Sequence, residues 1–174
     1  MANNLVELPS DRDYGGERSL LIRMKRRRPP LTPDAAIAQV REIYDELARR
    51  PVERDCIRRT QCCQFKLTGR TPFLTKGEAL TAAKAWRSAG NRRLPSPPDG
   101  ACPFLEQKSG RCLIYDGRPF GCRTHFCAAA GGPYARKEVI DLIHRLEDLD
   151  HALGGNRAKS LPAALAESLV ELER

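Results

Sequence analysis

Aromatic side chains are scarce in this 174-residue chain: they make up 6% of it, with a single tryptophan. Charged residues make up 30% and hydrophobic ones 41%, which allows one modest apolar core and not two domains of ordinary size. No apolar run approaches the roughly 18 to 20 residues that cross a bilayer. The start MANNLVELPSDRDYGG lacks the basic stretch and apolar run of a signal peptide. No glycine-rich loop follows a strand pattern where a nucleotide phosphate would sit, and LGGNR reads as a helix C-cap. No Ser-His-Asp, paired-carboxylate or phosphate-loop arrangement is recognisable, so the sequence names no reaction. CxxC pairs are absent too, although there are seven cysteines. An odd number leaves at least one thiol outside any disulfide framework. These absences lead us to expect a soluble protein of the reducing cytoplasm, without membrane contact, where clustered thiols more often bind metal than pair.

What is present begins with charge. The formal net charge is +8, and a basic surface can bind nucleic acid by releasing counterions from phosphate. Most of the Lys and Arg lie in RMKRRRPP or alternate with acids along helical patterns, which favours a solvated face and a basic tail over a nucleic-acid site. Residues 1–31 show no sustained periodicity and read as a basic N-terminal arm.

Helical periodicity starts after it. Ile37, Val40, Ile43, Tyr44 and Leu47 share one face, with Thr32 or Asp34 as cap, Pro33 in the first turn and Pro51 at the end. Thr75 and Glu78 have capping-box spacing ahead of Leu80, Ala83 and Trp86, with Gly90 as the stop. NRRLPSPPDGACP reads as a loop, and GRCLIYDGRP as a short strand entering a turn at Asp116 and Gly117. Val139, Leu142, Ile143, Leu146 and Leu149 line a long helix closed by Gly154, and a last helix starts near Pro162. The expected fold is mainly α: a helical cysteine-cluster domain over 32–154 with at most short strands, and a C-terminal helix over 155–174 packing on it.

Every cysteine falls between residues 56 and 127, in or beside the irregular segment, and none lies on the apolar face of a predicted helix. Pro- and Gly-rich loops cannot order themselves by burial, so clustered ligands within them point to a metal centre that organises the backbone. A structural zinc site is usually built from CxxC-like pairs on short turns. The adjacent Cys62 and Cys63 are expected to point apart, which suits an iron–sulfur cluster that offers separate irons to separate thiolates. A 4Fe–4S cluster is therefore favoured, with zinc as the alternative.

Cys56 through Cys63, then LTKGEA, CPFL and GRCLIYDGRPFGCR, resemble the YkgJ-type cysteine-cluster family, the CxxCxxCC zinc- or iron-chelating domain. The likeness spans roughly residues 55 to 127. In that family the first motif has four cysteines, whereas here the second position is Arg59, giving CxxRxxCC. The resemblance implies metal ligation by Cys56, Cys62, Cys63, Cys102, Cys112 and Cys122, with Cys127 or His125 making good the missing thiolate. A flagellin lysine methylase with an iron–sulfur centre is among the relatives it implies, though nothing in the residues themselves shows methyl transfer.

Pro119 is expected to fix the turn that presents Cys122, and Arg118 to donate hydrogen bonds to sulfurs or nearby carbonyls. Tyr115 reads as a packing residue, and His144 and His151 as ordinary helix residues. Arg58, Arg59 and Lys66 surround the first cysteines, where positive charge favours thiolates or draws an anionic substrate. Three functions fit: a cofactor-dependent enzyme or electron-transfer accessory acting with a protein or redox partner, a zinc-held interaction module, and a metal-handling protein.

Overall fold

Pro33 to Ala48 form α1, with Thr32 as its cap: the threonine is extended, and its Oγ accepts a hydrogen bond from the Ala35 amide at 3.3 Å. The computed structural model describes residues 30–173 except 52, 53, 55, 58 and 98. RMKRRRPP up to residue 29, and with it most of the arm expected over 1–31, lies outside the described residues. Within them the fold is mainly α, with six helices and one two-stranded antiparallel sheet. After α1 come α2 (Phe65–Thr68), α3 (Lys76–Ser88), α4 (Phe120–Thr124), α5 (Arg136–Ala152) and α6 (Leu161–Glu171). The strands are β1 (Phe73–Leu74) and β2 (Lys159–Ser160).

The central helix, α3, packs against α1, α5 and α6, and its residues from Gly77 to Ala83 are all buried. Small side chains make this close contact feasible. A Cβ at Gly77 would stand 3.0 Å from a Val40 methyl, so α1 lies almost against the α3 backbone. On one side Ala79, Ala82, Ala83 and Trp86 join Leu161, Leu165 and Leu169 of α6 in an apolar cluster. On the other, Val40, Ile43, Tyr44 and Leu47 of α1 meet Val139, Leu142, Leu146 and Leu149 of α5, together with Phe120. Each fully buried Leu contributes roughly 1.5–3 kcal/mol.

The ends of α3 are tied down by polar contacts. Glu78 reaches back to the Thr75 amide at 3.0 Å, completing the predicted capping box. The buried Asp150 of α5 accepts from the Lys76 amide at 2.6 Å, placing a carboxylate at the positive end of α3. Gly154 closes α5 in the left-handed region, at φ +71°. β1 and β2 pair Phe73 with Ser160 and Leu74 with Lys159, setting the start of α6 beside the start of α3.

GRCLIYDGRP differs from the expected strand. Only Leu105 and Cys112 form a β-bridge, and the chain then enters a 3₁₀ turn at Tyr115–Gly117. No described helix is long and apolar enough to cross a membrane.

Candidate metal centre

The cysteines are placed by backbone contacts before any side-chain chemistry acts. Thr60 holds φ +57°, the one positive φ on a non-glycine among the described residues. A β-branched residue there is strained, and such strain collects at functional sites. It folds the chain into the 3₁₀ turn Gln61–Cys63, with the Cys63 amide donating to the Thr60 carbonyl at 2.8 Å. The Cys102 amide then donates to the Cys63 carbonyl at 2.7 Å, which docks the CPFL loop on that turn. A small hairpin follows, in which the Leu113 amide donates to the Phe104 carbonyl at 2.8 Å and Glu106 to Arg111 at 2.9 Å. It lays Cys112 beside Leu105.

Cys122 arrives on α4, a helix too short to form alone. Glu78 supplies the missing support: its second carboxylate oxygen accepts from the Phe120 amide at 2.8 Å. Gly117 brings the preceding turn against α3, since a Cβ there would lie 2.5 Å from that of Ala85. The glycine is therefore needed for close approach as well as for the predicted turn. Arg123 ties the same turn from inside, donating to the Arg118 carbonyl at 2.8 Å and to the Asp116 carbonyl while its guanidinium lies 4.2 Å from the Tyr44 ring.

These segments enclose a cavity of about 720 Å³ lined by Cys56, Cys62, Cys63, Cys102, Cys112 and Cys122, with His125 and Arg118. All the cysteines are free thiols. Cys62 and Cys63 have their sulfurs 4.0 Å apart rather than pointing away from each other as expected. Cys127 stands off the cavity. It caps the 3₁₀ turn Ala128–Ala130, its carbonyl accepting from the Ala130 and Gly132 amides at 2.8 and 3.0 Å. Arg59 is exposed and does not line the cavity either. Arg118 stacks 3.7 Å over the Tyr115 ring and donates from Nε to the Tyr115 carbonyl at 3.0 Å. Tyr115 is thus an exposed part of the cavity wall rather than a packing residue.

Four of the thiols, Cys62, Cys63, Cys112 and Cys122, hold their protons tightly. Cys62 lies well above the usual thiol value, first because it donates to Cys63 and then through burial. Cys63 is pushed up to about 12, chiefly by its own bond to Cys102. Cys122 also reaches about 12, mainly by burial and then by the charges of Cys63, Cys112 and Cys62. Burial raises Cys112 as well. Arg118 opposes these shifts at Cys62, Cys112 and Cys122. Several thiolates in one cavity repel one another, and one guanidinium does not offset that. A multivalent cation does so directly, which is why metal binding to such a site releases protons. By donor chemistry and placement the cavity therefore fits a thiophilic metal. As positioned, no three His, Cys, Asp or Glu side chains among the described residues converge closely enough to hold an ion, so the sulfurs would have to approach one another to hold a metal.

Glu78, Thr60 and Gly117 also shape the site, and Arg70 and Arg111 lie on the cavity wall; none was singled out for it in the sequence. Glu78 was readable as a cap, but its bond to Phe120 spans 42 residues, and no local pattern signals that.

No curated protein and no solved structure matches this chain. The family model CxxCxxCC, described as a putative zinc- or iron-chelating domain, matches residues 55–143, just over half of the 174 residues. That match covers all seven cysteines, and the six lining the cavity are of the donor type that zinc and iron take. The chain belongs to the CxxCxxCC family, and its function includes metal binding.

Proposed function

We propose that the cavity holds an iron–sulfur centre of the 4Fe–4S type, serving a redox or cofactor-dependent role with a protein partner in the cytoplasm. The observation that carries this reading is that six thiols from five places along the chain line one cavity of about 720 Å³. That is more donors and more space than one tetrahedral ion needs. The ligands are drawn from the six thiols that line the cavity, Cys56, Cys62, Cys63, Cys102, Cys112 and Cys122. Such a cluster supplies one-electron transfer when bound. Arg118, at the wall, donates to the Tyr115 carbonyl, and its charge favours the thiolates of Cys62, Cys112 and Cys122.

Zinc is the second reading, and one distance favours it. The 4.0 Å between Cys62 and Cys63 sulfurs is close to the roughly 3.8 Å edge of a tetrahedron with Zn–S bonds of about 2.3 Å. Anaerobic purification with metal and sulfide analysis separates the two. Iron with acid-labile sulfide and a brown colour is expected. A colourless protein carrying stoichiometric zinc and no sulfide rejects the cluster.

A further inference from the structure

Sulfur covers only part of the cavity wall. Phe65, Phe104 and Leu105 make an apolar stretch, and three arginines join it from separate segments. Arg70 comes from the loop after α2, Arg111 from the hairpin before Cys112, and Arg118 from the turn before α4. Asp116 is the one acidic residue lining the cavity among the described residues. Arg118 is engaged with Tyr115 and bears on the thiols. Arg70 and Arg111 are exposed, and neither has an ion pair among the described residues. A closed structural metal site keeps no open volume, whereas about 720 Å³ falls within the range of small-molecule pockets, roughly 300–1,000 Å³.

We propose that this cavity also binds a small organic oxyanion, a carboxylate or phosphate monoester with a compact apolar body, gripped at its charged end by Arg70 and Arg111 at the cavity rim. The body lies on Phe65, Phe104 and Leu105, beside the cysteines. Guanidinium forks match either oxyanion in bidentate geometry, and the apolar stretch offers a surface on which the body of the ligand is buried. The inference rests on the metal-centre reading only in setting the ligand next to a metal. The grip itself depends on the arginines.

The test uses the full chain as purified, with iron and zinc content measured first. Benzoate, phenyl phosphate and benzyl alcohol are titrated by calorimetry at two ionic strengths. At least one anion should bind at a single site with Kd below about 1 mM, more weakly at high salt, and the alcohol at least about tenfold more weakly than the anion. The tighter anion identifies the class. The double variant Arg70→Gln/Arg111→Gln should lose at least about tenfold in affinity with unchanged metal content and circular dichroism. Equal binding of the alcohol, equal binding by the double variant, or no binding of either anion overturns the proposal. Anion binding through these arginines in protein stripped of metal supports this proposal, and the metal-centre reading fails separately if protein purified without oxygen carries neither iron nor zinc.

Discussion

Cys122 and Cys127 sit five residues apart in sequence, and the structure gives them different surroundings. Cys122 lines the cavity on α4, while Cys127 caps a turn outside it. Cys122→Ser should therefore lose most of the bound metal, and Cys127→Ser should keep it with an unchanged absorption spectrum. Metal analysis of the two variants checks this, and equal loss from both would return Cys127 to the ligand set. Glu78 gives a second prediction. One buried carboxylate accepts from the Thr75 amide, the Thr75 hydroxyl and the Phe120 amide. Glu78→Ala strands these donors and should cost about 3 kcal/mol, lowering metal content because α4 loses its support. Glu78→Gln keeps an oxygen in place and should cost less on both measures, as read by denaturant titration and metal analysis. The cysteines were legible in the sequence because their identity alone signals their chemistry. Glu78 was half legible, since a capping box is a local pattern and a tie to residue 120 is not. Arg59 was legible as a departure from the family motif, but its exposed position came only with the fold.

The long helices α1, α3, α5 and α6 were readable because each carries an apolar face that must be buried, and Thr32, the Thr75–Glu78 pair and Gly154 mark their ends. The elements that present the cysteines were not. α4 has five residues, below the length at which helical propensity means much. The apolar run Cys-Leu-Ile-Tyr resembles a strand, yet the turn at Gly110 and the 3₁₀ turn at Tyr115 leave room for one bridge. β1 and β2 are two residues each, too short for periodicity to register. Gly117 gives the prediction at this scale. Gly117→Ala forces a methyl against Ala85 and should cost about 1–3 kcal/mol. If the clash is the cause, Ala85→Gly in the same chain should recover part of that, giving a double variant less destabilised than the sum of the singles. Strict additivity in thermal melts would show that the contact does not carry the effect.

For the whole molecule, the raised thiols set the pH response. Cys63 and Cys122 move from an ordinary value of 9.0 to about 12 in the folded chain. The folded state therefore keeps protons that the unfolded chain releases. The stability this contributes is complete below pH 9 and is lost as pH rises toward 12. The denaturation midpoint of metal-free protein should fall between pH 8 and pH 11, while that of metal-loaded protein should rise to about pH 9 and then level, because its bound thiolates carry no protons and the unfolded thiols lose theirs near that pH. Parallel curves for the two forms would refute this. The central place of α3 has a further consequence, in the order in which the chain is made. α3 lies between Cys63 and Cys102 in sequence, and much of its apolar cover comes from Leu161, Leu165 and Leu169, downstream of every cysteine. A growing chain thus presents all seven thiols before α6, which covers α3, has been made. A chain that stops before residue 155 lacks this cover and should not retain metal when the 174-residue chain does, as metal analysis of the two would show.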